Sequence, residues 1–119
     1  MANQTFAELE GEMAELLESF IVESTEIFDK LGPDLLELET NTENAELHNR
    51  IFRAVHTIKG TSSFLGIEQV TELAHNFEDV LNKIRRKELH PENQAHQAKK
   101  HSHKFLVSGR AIWLRQTSA

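Results

Sequence analysis

His56, Lys59 and Gly60 lie within one helical turn of each other, in the run His56-Thr57-Ile58-Lys59-Gly60. An imidazole is nucleophilic near neutral pH and can attack a phosphoryl group directly. A histidine used this way must leave one ring nitrogen open. The proton on the other nitrogen should be held by an acceptor, which fixes the tautomer and raises nucleophilicity. Glu78 is the candidate acceptor, because it flanks the apolar stripe of the next helix and can face a neighbouring one. Lys59 would offset the charge of a transferred phosphoryl group. Gly60 costs a helix about 1 kcal/mol relative to alanine. A glycine on an exposed helix face gains nothing from packing, and close approach by a partner would explain it.

These residues need helices to position them. Leu47, Ile51, Ala54, Val55, Ile58, Ser62 and Leu65 recur at helical spacing and mark a buried face. At about 100° per residue, His56 points roughly 150° away from the centre of that face. This helix is predicted over about Ala45 to Leu65, with Gly66 as a left-handed cap. A preceding stripe runs from Leu9 through Met13, Leu16, Leu17, Phe20, Ile21, Ile27, Phe28, Leu31 and Leu35 to Leu38. Its period survives Gly32-Pro33, which predicts one kinked helix rather than two. A third helix is predicted over about Glu68 to Lys87, burying Val70, Leu73, Ala74, Phe77, Val80, Leu81 and Ile84.

After Leu89 the character changes. Pro91-Glu92 can open a fourth helix. Its apolar face is thin, limited to Ala95, Ala98, Phe105 and Leu106, and Ile112-Trp113-Leu114 reads as a short separate piece after Ser108-Gly109. The expectation is therefore an all-α antiparallel bundle over 1–90, with three clear amphipathic helices. Residues 91–119 are expected as an atypical basic tail or a weak fourth helix. An unfinished apolar face of this kind predicts a homodimer, with tail residues such as Phe105 or Trp113 covering the face, or a marginally stable monomer.

Composition narrows the function classes. There is no cysteine, so disulfides, thiolate catalysis and cysteine zinc sites are excluded. Residues 1–89 hold 8 Lys and Arg against 18 Asp and Glu, a net −10, whereas residues 90–119 hold 5 against 1, a net +4. The acidic part argues against nucleic acid as a partner. No stretch approaches the roughly 18 apolar residues of a membrane span, and the first residues do not read as a signal peptide. A cytoplasmic location without membrane attachment is expected. His96, His101 and His103 do not make a metal site, because His101 and His103 are two apart and share no helix face. No metal and no bound cofactor are expected.

Ala54-Val55-His56-Thr57-Ile58-Lys59-Gly60, followed by Phe64-Leu65-Gly66, resembles the signature of histidine-phosphotransfer (HPt) domains. Leu73-Ala74-His75-Asn76-Phe77-Glu78 is similar to the amino-terminal phosphotransfer domain of CheA-type chemotaxis histidine kinases. The resemblance covers roughly residues 12–90. It implies an antiparallel helical bundle whose His56 is phosphorylated by a separate ATP-binding kinase domain. His56 then passes the phosphoryl group to an aspartate of a response-regulator receiver domain. By matching position it implies supporting roles for Lys59, Gly60, Glu78 and His75.

The chain has no P-loop and no glycine-rich kinase loop. It is expected to be a phosphoacceptor rather than an enzyme by itself, with ATP used by its partner. Phe52, one turn before His56, is a candidate docking residue for that partner. The alternative is a non-catalytic helical interaction module with a coincidental motif.

Overall fold

The computed structural model describes residues 5–118. Helix α1 runs Phe6–Thr40, α2 Ala45–Leu65 and α3 Glu68–Arg85. A last helical arm comprises α4, Pro91–His103, a π-helical segment, Lys104–Gly109, and α5, Arg110–Thr117. No strand occurs among the described residues. The helices form an all-α bundle in which α2 packs against α1 and α3, and the last arm packs against α1 and α3.

The helix ends follow local chemistry. Thr5 and Glu8 form a capping box, with Glu8 N–H donating to Thr5 Oγ1 at 3.1 Å and Thr5 N–H to Glu8 Oε2 at 3.3 Å. Asn44 caps α2 through Leu47 N–H. Gly66 ends α2 at φ 75°, where Ile67 N–H returns to Ser62 O at 2.8 Å. Helix α3 stops two residues before the expected Lys87, which itself adopts φ 58° and turns the chain toward α4.

Helix α1 passes through Pro33 without a break. Its two halves behave differently. Phe28, Leu31, Leu35 and Leu38 are buried. Leu9, Met13 and Leu16 belong to the same sequence stripe but are exposed. The 35 residues span about 52 Å, close to the molecule's longest dimension of 59 Å. The amino-terminal half therefore extends beyond the helices that cover the rest.

The stretch after Leu89 packs more than its sparse apolar content suggests. Its few large side chains are well placed. Phe105 lies between Phe28 and Phe77, with ring centres 5.2 and 5.7 Å away. Trp113 sits 6.1 Å from Phe28 and donates its indole N–H to Thr25 Oγ1 at 3.0 Å. Both are fully buried. The sequence predicts a separate piece at Ile112–Leu114, whereas the helical run continues through Ser108-Gly109. The reason is rotational. Eight residues of α-helix overshoot two full turns by about 80°. The wider turns of the π segment take up that overshoot, so Phe105 and Trp113 share one face. At the other end of the arm, Thr42 donates to Gln94 Oε1 at 3.4 Å and Gln94 donates to Leu89 O at 3.2 Å. Buried His48 donates to Thr42 O, so α2, the α1–α2 loop and the start of α4 are joined.

Two outcomes follow. Trp113→Ala should cost about 3–5 kcal/mol in urea unfolding; an unchanged midpoint would mean that the last arm does not complete the core. His101 is held below the ordinary histidine range by desolvation, then by Lys100, Lys104 and Lys83. Its proton is bound more readily in the unfolded chain, so stability should be full above about pH 6.5 and fall as pH drops through that value. His101→Gln should flatten that decline in melting temperature.

Candidate functional site

The site is assembled across the α2–α3 pair. Ile51, Val55 and Ile58 of α2 are buried, as are Ala74, Phe77 and Leu81 of α3. Ser62 Oγ and Thr71 Oγ1 lie 2.8 Å apart near the Gly66 turn and help fix the register of the two helices. With this packing, His56 faces outward from α2 and Glu78 lies between the helices.

Glu78 is the centre of the arrangement. Its side chain is only 7% exposed, and each carboxylate oxygen has its own partner. His56 Nδ1 lies 2.8 Å from Oε1. Lys59 Nζ donates to Oε2 at 2.7 Å. An ionised carboxylate only accepts hydrogen bonds, so the proton belongs on Nδ1 and the Nε2 lone pair is left open. The His56 side chain is 62% exposed. The result is an oriented imidazole with its nucleophilic nitrogen toward solvent.

Lys59, expected beside His56 to offset the charge of a transferred phosphoryl group, has a partner of its own in the unphosphorylated chain. Its ammonium is bonded to Glu78, where it offsets the charge of the buried carboxylate. Gly60 lies one turn beyond His56, and a Cβ built there would meet nothing within 4 Å. No contact inside the described chain therefore requires glycine at this position.

His75 stands apart from the His56–Glu78–Lys59 cluster. It is exposed, and its Nε2 lies 3.7 Å from Asp79. It shares the wall of a shallow groove with Lys59, Gly60, Ser63 and Thr71. Phe52 stacks nearly parallel to the His56 ring, 6.0 Å away at 10°. Its other neighbour is Arg85, whose guanidinium lies 5.2 Å from the Phe52 ring centre and donates to Asn49 Oδ1 at 3.2 Å. The sequence did not single out Arg85 as a neighbour of Phe52. The signal available was its spacing of seven residues from Glu78, two turns along the same face of α3. Among the described residues, no three His, Asp or Glu side chains converge as a metal site would require. No helix among them is long and apolar enough to cross a membrane.

Residues 15–108 match the Hpt domain family. The sensor histidine kinase CheAY of Helicobacter pylori is 50% identical over 78 residues, covering 66% of this chain and 10% of that protein. The chemotaxis protein CheA of Listeria monocytogenes is 40% identical over 74 residues, 62% of this chain and 12% of the relative. CheA of Halobacterium salinarum is 41% identical over 73 residues, 61% of this chain and 11% of the relative. The chain spans about a tenth of the length of these curated relatives. No solved structure matches at a significant level.

The geometry predicts the tautomer. Nitrogen NMR of the neutral imidazole should show His56 protonated at Nδ1. Glu78→Ala should redistribute the proton toward Nε2. An unchanged tautomer ratio would show that the Glu78 contact does not hold the ring.

Proposed function

The chain belongs to the Hpt domain family, and on that premise we propose that His56 accepts a phosphoryl group from the ATP-binding domain of a histidine kinase and passes it to an aspartate of a receiver domain. The observation that carries this reading is the His56 imidazole itself, anchored through Nδ1 on a buried carboxylate and open at Nε2. The chemotaxis kinases among its relatives favour a chemotaxis pathway, and with it a cytoplasmic setting.

The transfer balances without a cofactor held by this chain. The Nε2 lone pair attacks the γ-phosphorus of ATP presented by the kinase, the bond to the bridging oxygen breaks, and ADP leaves. Positive charge that develops on the ring is shared through Nδ1–H with Glu78. In the second step a receiver carboxylate oxygen attacks the phosphorus, the N–P bond breaks and the imidazole is regenerated. Nucleotide binding and receiver activation belong to the partners, so the chain acts as a phosphoacceptor and not as an enzyme by itself. In this role Gly60 leaves room beside the phosphoryl group for the incoming active site, and Phe52 and His75 border that approach. A homodimer is not required for either step.

Incubation with ATP and the kinase domain of a CheA-type relative should place an acid-labile phosphate on the chain. His56→Gln should abolish labelling with only a small change in melting, because the residue is exposed and the glutamine amide is itself a donor for Glu78. Persistent labelling would assign the acceptor elsewhere. Gly60→Gln should leave the fold intact and slow passage to the receiver by roughly tenfold, since the added side chain occupies the partner's space; an unaltered rate would remove Gly60 from the docking face.

A further inference from the structure

The amino-terminal half of α1 carries an apolar strip that nothing else in the described chain covers. Phe6, Leu9, Met13, Leu16 and Phe20 follow one another at alternating spacings of three and four, the a and d positions of a heptad. Phe6 is 85% exposed, Leu9 46%, Met13 49% and Leu16 47%. By helical rotation the average direction of these positions lies about 40° from that of Phe28, Leu31, Leu35 and Leu38. They prolong the core face of α1 past its cover. On one side that cover ends with α5 at Thr117, just after Trp113 reaches Thr25. On the other it ends at Phe64, which meets Phe20 edge-on at 6.5 Å and remains largely exposed. The uncovered strip is about 20 Å long.

Its pattern specifies the shape of what fits. A sustained three–four repeat stays in register with another helix crossing at a shallow angle, each side chain entering a hole between four of the partner's. The flanks specify charge. Every charged residue from Phe6 to Phe20 is a glutamate: Glu8, Glu10, Glu12, Glu15 and Glu18. Glu10 and Glu12 occupy the heptad positions beside the seam, and no basic residue occurs before Lys30. A second copy laid antiparallel on this strip would match apolar residues but bring two all-acidic flanks together. Flanking side chains across a helix pair lie closer than the Debye length of about 8 Å at physiological salt, so that repulsion survives screening.

We propose that residues 6–20 form a docking strip for an amphipathic helix of another protein, apolar along its seam and rich in Lys or Arg on its flanks. The helix lies on Leu9, Met13 and Leu16 and ends against the Phe20–Phe64 step. This surface is separate from His56, and its occupancy does not depend on phosphoryl transfer.

The test uses the full chain and two labelled helical peptides of about three heptads with Leu along the seam. One has Lys on its flanks and the other Glu. Fluorescence anisotropy should show the Lys-flanked peptide binding at least roughly tenfold more tightly than the Glu-flanked one. Binding should weaken as salt rises from about 0.05 to about 0.5 M. Leu9→Glu with Met13→Glu should abolish binding while helicity, melting and His56 labelling stay unchanged. Three results would each overturn the proposal: equal binding of both peptides, binding insensitive to the double variant, or no binding of the Lys-flanked peptide. Sedimentation of the chain alone as a dimer that Met13→Glu dissociates would assign the strip to a second copy.

Discussion

A carboxylate taken out of water is costly unless both of its oxygens are partnered. Glu78 meets that condition through two side chains of the neighbouring helix, His56 at one oxygen and Lys59 at the other. Much of the local structure can be understood as keeping this arrangement in place. His56 and Lys59 are three residues apart on α2, the spacing that puts two side chains beside each other on one face. Glu78 can lie between them only if α2 and α3 are antiparallel and in a fixed register. The Gly66 turn sets the direction. The Ser62–Thr71 contact and the packing of Val55 and Ile58 with Ala74 and Phe77 hold the register.

The same arrangement separates burial from exposure within a single residue. The His56 ring is tied at Nδ1 to the inside of the bundle, yet most of its side chain faces solvent. An untied surface imidazole would exchange tautomers and rotamers, and only a fraction of its population would present an open Nε2. Lys59 contributes indirectly. By bonding Glu78 it stabilises the acceptor that orients the nucleophile. One turn on, the space beside Gly60 is open.

The second and third helices were legible because their signals are local and periodic. Val55 and Ile58 on one side and His56 on the other follow from the helical angle alone, and Gly66 marks the end of α2 by its backbone freedom. The partnership of Glu78 with His56 was legible from its place on the flank of the α3 stripe. The bond of Lys59 to Glu78 was not legible, because proximity along a helix does not reveal which side of the residue the next helix occupies. The reach of the stripe in the first half of α1 was not legible for a similar reason. A stripe records that a face is apolar, not that another element is long enough to reach it. The last arm was the least legible. Counting apolar residues undervalued Phe105 and Trp113, and alignment of the two depends on a π segment that an α-helical period cannot anticipate.

The change of composition after Leu89 has little leverage on the site for a structural reason. The fourth arm packs on α1 and α3, and its large side chains enter the core around Phe28 and Phe77. The His56–Glu78–Lys59 cluster uses the face of α3 turned toward α2. What the arm must supply is volume and apolar surface, and a few large residues in the right rotation can do that with many different polar sequences between them. The site instead depends on particular atoms: a ring nitrogen, an ammonium and a carboxylate. Residues 91–117 can therefore combine an unusual basic composition with an intact geometry at His56. The strip along residues 6–20 follows from the same division of labour. Among the described residues the arm covers the part of α1 that backs the site, and Leu9, Met13 and Leu16 of the same face are exposed.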